Sequence, residues 1–434
     1  MTNAAEVRNS NYKGWSTVAL ESGPLSVEIA PALGGRIIQF RLNGFEYLWA
    51  SDTLAGQAPP PSGLGPEDAW LNYGGDKLWP APQGWDGPDQ WPGPPDAVLD
   101  GSPQEFRILQ RSGDSVAVEL TSRPDSRTGI QFSRVVRITD GVAGLHVRAR
   151  MTNIDTRPRR WGIWTVTQLN GRSSTGRGWN RSLRSYCPIN PDSRYPAGYR
   201  VMFGDKNNPQ FQADDGMLKI HYQYEVGKVG LDSNTGWIAT VDGESGYLFV
   251  QRFEHASGRE YPDGASIEYW TSGLGTIKAW GREEVMPDDP VRTPYLVESE
   301  LLSPFAELQP GEHAEFEYEW RAANIGGDLP VLGCASGGCV AEPLRAVAAD
   351  GVLRVTGRFG IFQTGEVRFE ALDSDGKPIS QLGRPLAVDP TRPVVLTGQL
   401  DASSLPAGTT AISVSCHDAH GTSLGELTRA AIAR

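Results

Sequence analysis

The sequence predicts an all-β protein in two parts, a large antiparallel domain followed by a small β-sandwich. Apolar and polar residues alternate with period two along much of the chain, as where Leu25, Val27 and Ile29 interleave with Ser26 and Glu28. Turn formers punctuate these runs: the 434 residues include 51 glycines and 32 prolines. Apolar spacing of helical period is not sustained over three turns anywhere in residues 1–320. A chain of this length exceeds what one core fills, so two domains are expected.

In chain order, residues 25–29 and 37–40 flank the turn formers of residues 31–35 and predict a hairpin, with Arg36 directly after two glycines. The character then changes, because residues 51–100 hold ten prolines and four of the thirteen tryptophans, Trp70, Trp79, Trp85 and Trp91. A connection this long is functional or disordered, and so much aromatic area argues for an ordered layer over one sheet face. Within it, the run Asn72-Tyr73-Gly74-Gly75-Asp76-Lys77-Leu78-Trp79-Pro80-Ala81-Pro82-Gln83 reads as a rigid loop. Two glycines allow positive φ and two prolines stiffen the exit. An acid, a base and an indole between them suit a polyhydroxylated ligand such as a sugar, which needs directed hydrogen bonds and an apolar plate. The alternative is a surface loop whose Trp79 plugs a core.

Strands are predicted at residues 105–110, 115–121, 130–139 and 145–153, in the rhythm of an antiparallel meander. Residues 161–168 form another, with Trp164, Val166 and Gln168 on one face and Ile163, Thr165 and Thr167 on the other. Residues 172–211 read as a second irregular segment. Further strands follow at 236–241, 246–254, 265–272, 295–302 and 313–320. A Gly-rich joint over residues 324–341 separates a first domain, 1–323, from a second, 342–434. In the second, strand patterns at 351–357, 365–372, 394–400 and 410–417 predict an immunoglobulin- or fibronectin-like sandwich.

The net charge of −12 disfavours nucleic acid as a partner, since that binding needs clustered cations. Arg157, Arg159, Arg160, Arg172, Arg177, Arg181 and Arg184 do cluster, either to hold an acidic sugar or sulfate or as a solvated loop. No run of 18 apolar residues occurs, so no membrane span is expected. Residues 1–11 lack an apolar leader core, which as written reads as cytoplasmic; a periplasmic or secreted protein whose leader had been replaced would read the same. Cys334 and Cys339 are spaced to close a small disulfide loop, while Cys187 and Cys416 stand alone. No metal site and no cofactor are expected: zinc spacing, a phosphate loop and the helical metalloprotease motif are all missing from the sequence. Asp373-Ser374-Asp375-Gly376 reads as a hairpin turn, since no glutamate follows at the position a calcium loop requires.

Several motifs carry a family resemblance. Tyr12-Lys13-Gly14-Trp15, Gly34-Gly35-Arg36-Ile37-Ile38-Gln39-Phe40, the run from Tyr73 to Gln83, Tyr261-Pro262-Asp263-Gly264, Glu298-Ser299-Glu300-Leu301-Leu302-Ser303-Pro304 and Leu308-Gln309-Pro310-Gly311-Glu312 resemble the galactose mutarotase-like superfamily and, within it, the bacterial DUF4380 family. The likeness covers roughly residues 12–323. It implies a β-supersandwich with a mono- or oligosaccharide in a concave cleft. An aldose 1-epimerase resemblance would further imply a glutamate base at the anomeric hydroxyl and a histidine acid at the ring oxygen. Glu254, closing the strand at 247–253, stands where the base is expected. The strand that should carry the histidine reads Trp164-Thr165-Val166-Thr167-Gln168 and has none, and neither Thr nor Gln titrates near neutrality.

The proton must then come from His255, Tyr261 or Lys77, or else the cleft binds sugars without epimerising them. His255 adjoins Glu254, so the two point to opposite faces unless a bulge intervenes. The expected catalytic set is Glu254, His255 and Lys77; the expected substrate contacts are Arg36, Tyr73, Asp76, Trp79, Trp164, Gln168, Tyr261 and Glu268. Glu298 and Glu300 share a strand face about 6.5–7 Å apart, either as an acid–base pair for glycoside cleavage or as a surface pair. Three functions therefore stand open: an epimerase-like isomerase with a non-standard acid, a catalytically silent carbohydrate-binding protein, and a polysaccharide lyase or glycoside hydrolase.

Overall fold

A computed structural model describes residues 4–60, 63–65, 68–84, 89–279 and 282–433. Contacts divide the chain into two compact units, the first comprising residues 1–140, 145–238 and 251–320, the second residues 141–144, 239–250 and 321–434.

The first unit is built on a thirteen-stranded sheet. Its middle runs in the order Gly227–Leu231, Ile267–Thr271, Leu296–Leu302, Arg159–Asn170, Asp76–Ala81, Arg36–Leu42, Leu25–Ala30. Every adjacent pair in that series is antiparallel. Strands such as Ser115–Thr121 and Ile130–Thr139 belong to a second, ten-stranded sheet, and the alternating burial of Ile130–Thr139 shows which face it turns inward. The space between the sheets is filled by large apolar groups such as Phe40, Trp161 and Trp320, all buried. Phe40 meets Trp320 edge to face at 5.7 Å.

The run 72–83 is not a loop throughout. Asp76–Ala81 is a fully buried strand in the middle of the large sheet, zipped to Arg159–Asn170 from Thr167↔Asp76 to Gly162↔Ala81. Proline in such a strand is tolerated because the ladder to Arg36–Leu42 consists of the single pair Ile37↔Asp76, leaving Pro80 beside an unpaired edge. The glycines just before it do what the sequence suggested. Gly75 has φ +72°, and a Cβ there would stand 2.4 Å from the Ile37 carbonyl oxygen.

Other departures concern residues 172–231. The irregular segment contains Leu183–Pro188 and Arg200–Gly204, and Gly227–Leu231 follows it, three strands without clear alternation. Of the tryptophans in residues 51–100, Trp85 lies outside the described residues.

In the second unit, strands from Gly338–Ala349 to Ser423–Ala433 enclose a core of Leu353, Phe359, Val367, Ile412 and Val414. This is the small β-sandwich expected at the C-terminal end, with one parallel pair, Gly338–Ala349 on Ser423–Ala433. Cys334 and Cys339 form a disulfide; Cys187 and Cys416 are buried and free.

Candidate functional site

Alternation along five neighbouring strands gives the large sheet two chemically different faces. Register places Lys77 opposite Val166 and Trp79 opposite Trp164. It then places Val166 opposite Glu300, Gln168 opposite Glu298, Glu268 opposite Glu300 and Trp270 opposite Glu298. Lys228 stands opposite Trp270. One face therefore gathers Lys77, Trp79, Trp164, Gln168, Lys228, Glu268, Trp270, Glu298 and Glu300, while Asp76, Thr167 and Ser299 turn to the other.

That first face floors a cleft made of two adjoining cavities of about 230 and 290 Å³. Gln83, Trp164, Phe203 and Lys228 line both. Glu268, Arg200 and Asp263 close the smaller one, and Trp70, Trp79, Gln168, Trp270 and Glu298 the larger.

At the smaller cavity, the Lys228 ammonium lies 2.7 Å from Glu268 Oε2 and 2.9 Å from Glu300 Oε2. It also sits 4.5 Å from the centre of the Trp164 ring. Trp164 Nε1 donates to the same Glu300 oxygen at 2.7 Å. Burial works against the Lys228 charge, but the two carboxylates outweigh it and raise its pKa. Glu300 moves the other way for a carboxylate's charge: complete burial, opposed by Lys228 but helped by Glu268 and Glu298, pushes its pKa up to about 8. The triad thus keeps a cationic lysine beside a carboxylic acid that stays protonated at neutral pH. Asp263 is pushed up to about 6, by burial and then by Glu268.

At the larger cavity, Gln168 Nε2 donates to Glu298 Oε1 at 2.7 Å. Lys77 Nζ lies 3.9 Å from that oxygen, 5.0 Å from the Trp79 ring centre and 5.8 Å from that of Trp70. Burial lowers the Lys77 pKa to about 8, with Glu298 opposing the shift. Trp79 packs against Trp164 at 5.5 Å and against Trp70 at 6.3 Å, giving the wall three linked indoles.

Six buried polar atoms along this face have no hydrogen-bond partner among the described residues: Lys77 Nζ, Trp79 Nε1, Gln168 Oε1, Arg200 Nε, Glu268 Oε1 and Glu300 Oε1. Leaving such atoms unpaired costs about 1–3 kcal/mol each, a cost that a polar ligand in the hollow would relieve.

The residues named from sequence separate into three groups. Lys77, Trp79, Trp164, Gln168 and Glu268 come together here. Arg36, Tyr73 and Asp76 instead brace the structure from behind. Arg36 is fully buried and donates to Asp100 Oδ1 at 2.6 Å, and Tyr73 packs on Trp15 at 5.9 Å. Asp76 accepts from Arg134 and Thr167 at 2.7 Å each, because it is one residue out of phase with Lys77. The third group, Glu254, His255 and Tyr261, lines neither cavity. Glu254 is exposed beyond the end of its strand, and His255 stacks on Tyr261 at 5.2 Å, its pKa lowered by burial. The Glu254 placement followed from position along the chain, which cannot tell which of the two sheets a strand joins.

Sequence reasoning weighed Glu298 and Glu300 as a pair but left them out of the site, and it missed Lys228, Trp270, Phe203, Arg200 and Asp263. The period-two repeat Glu268, Trp270 pointed at one face; Lys228, between glycines, and Arg200 with Phe203, in the irregular segment, offered no such pattern. Among the described residues, no cluster of three or more His, Cys, Asp or Glu is placed to hold a metal ion.

Two large antiparallel sheets packed face to face, with a polar, indole-lined hollow on one of them, define a protein of the β-supersandwich class. Residues 16–323 match the family described as Domain of unknown function (DUF4380), and the chain belongs to that family. Similar solved structures include a TPR-domain containing protein from Parabacteroides distasonis, at 15% identity and TM-score 0.47, over 76% of this chain and 55% of that one. Galactose mutarotase-like proteins from Clostridium acetobutylicum and Lactobacillus casei share 12% and 11% identity, with TM-scores of 0.46 and 0.43. These alignments cover 74% and 70% of this chain and 99% of each of those. No curated protein matches the chain in sequence.

Proposed function

We propose that the protein binds a carbohydrate in this cleft, stacking a pyranose against the Trp79 and Trp164 indoles and satisfying its hydroxyls with the unpaired groups of the floor. One observation carries the reading: six buried polar atoms without partners lie in or directly behind the lining of a hollow walled by indoles. A saccharide offers that combination of donors, acceptors and an apolar C–H face. The adjoining cavities together fall within the range of small-molecule sites, about 300–1,000 Å³. Residues 1–323 would form the binding domain and residues 342–434 an accessory sandwich.

Proton transfer at the anomeric centre is a second reading, favoured by the protonated Glu300 beside charged Lys228. Glu300 would supply the proton to the ring oxygen and Glu268 would accept one from the anomeric hydroxyl. Glu300 stands directly behind the wall formed by Trp164 and Lys228, so this reading needs the ring oxygen to reach the floor between them.

Tryptophan fluorescence titrated with neutral and acidic monosaccharides tests binding, with saturable change expected for at least one sugar. NMR exchange between anomers tests catalysis. Rates equal to buffer in the wild type, alongside saturable binding, would leave a binding protein; rates lost in Glu300→Gln and Glu268→Gln would establish an epimerase.

A further inference from the structure

Two of the unpartnered donors, Lys77 Nζ and Trp79 Nε1, come from the single strand Asp76–Ala81, and the third, Arg200 Nε, belongs to the smaller cavity. The acceptors, Gln168 Oε1, Glu268 Oε1 and Glu300 Oε1, come from the three strands beside Asp76–Ala81. A group that only accepts, with two oxygens and a negative charge, is the complement of a lysine and an indole N–H side by side.

We infer that the ligand is a sugar acid, a pyranose whose carboxylate is held at Lys77 Nζ and Trp79 Nε1 while its hydroxyls face Glu268, Glu300 and Gln168. This rests on the carbohydrate reading above and narrows it. Glu298, 3.9 Å from Lys77, is already engaged by Gln168 and leaves the ammonium free to turn toward the ligand. The neighbouring rings of Trp70 and Trp79 exclude water from the ion pair, which strengthens it.

Calorimetric titration of the full chain with glucuronate and galacturonate, each against glucose and galactose, tests the inference. At least one hexuronate should bind about tenfold or more tighter than its neutral counterpart, the scale of one charge-assisted hydrogen bond. In Lys77→Met that ratio should fall toward one, and Trp79→Phe, which keeps a ring but removes the N–H, should reduce it in part. Neutral hexoses binding as well as or better than the acids would overturn the inference and leave the carbohydrate reading standing. A preference that survives in Lys77→Met would also overturn it. Failure of all four sugars to bind would remove both readings.

Discussion

The two faces of the central strands use the same kinds of residue to opposite ends. Behind the sheet, Asp76 is bonded by Arg134 and Thr167, Thr167 accepts from Gln251 at 2.9 Å, and Ser299 donates to Gln251 in turn. Every one of those side chains is buried and each has a partner. In front, one residue along, Lys77, Trp79, Gln168, Glu268 and Glu300 are buried as deeply and still retain unpaired atoms. Burial and polarity are alike on both faces, so neither distinguishes scaffold from site. Among these particular residues the hydrogen bonds close behind and stay open in front, although Arg36 Nε, Tyr73 OH and Tyr318 OH are also unpaired away from the cleft.

The largest effect expected from breaking this contrast is on stability behind the sheet. Asp76→Ala strands the buried Arg134 charge and should cost about 3–5 kcal/mol in chemical denaturation. Lys77→Met, its neighbour on the front, removes a buried cation that has no hydrogen-bond partner and should leave stability unchanged or raise it. A comparable loss in both variants would mean that the faces do not differ.

A second contrast lies within one strand. Trp164→Ala should weaken sugar affinity about tenfold or more through loss of the stacking plate. Thr167→Val, three residues on and facing back, should lower stability by about 1–3 kcal/mol through unpaired Asp76 and Gln251 atoms while keeping affinity. Paired titrations and melts of the two variants separate these outcomes.

A third expectation is a pH dependence. Glu300 is raised from its ordinary value of 4.5 to about 8, so the folded state holds a proton that the unfolded state releases between those values. Its contribution to stability is complete below about pH 4.5 and is lost as pH rises through about 8. Glu300→Gln should therefore flatten the fall in melting temperature across that window. Lys77, lowered from 10.5 to about 8, acts in reverse, and Lys77→Met should remove a rise in stability between about pH 8 and 10.5.

Much of the architecture was legible because alternation and turns are local. The strands Glu105–Gln110, Ser115–Thr121, Ile130–Thr139 and Gly365–Leu372 fall where the pattern placed them. Trp164 and Gln168 were assigned to one face for the same reason. The site was only partly legible because it is assembled from register between strands distant in sequence. Nothing local in Gly227-Lys228-Val229-Gly230 shows that Lys228 will meet Glu300, 72 positions away. Nor does local pattern reveal that Asp76 and Lys77, adjacent in the chain, serve opposite faces: the glycines and prolines around them suggested a loop, where the strict alternation of a strand does not apply.

Crystals soaked with a mixture of hexoses and hexuronates would test most directly whether the front face is a carbohydrate site. The account predicts ring density against Trp79 and Trp164, with polar atoms within hydrogen-bond reach of Lys77, Gln168 and Glu268. Sugar density placed elsewhere, or a cleft that stays free of sugar while the six polar atoms pair with one another, would contradict it.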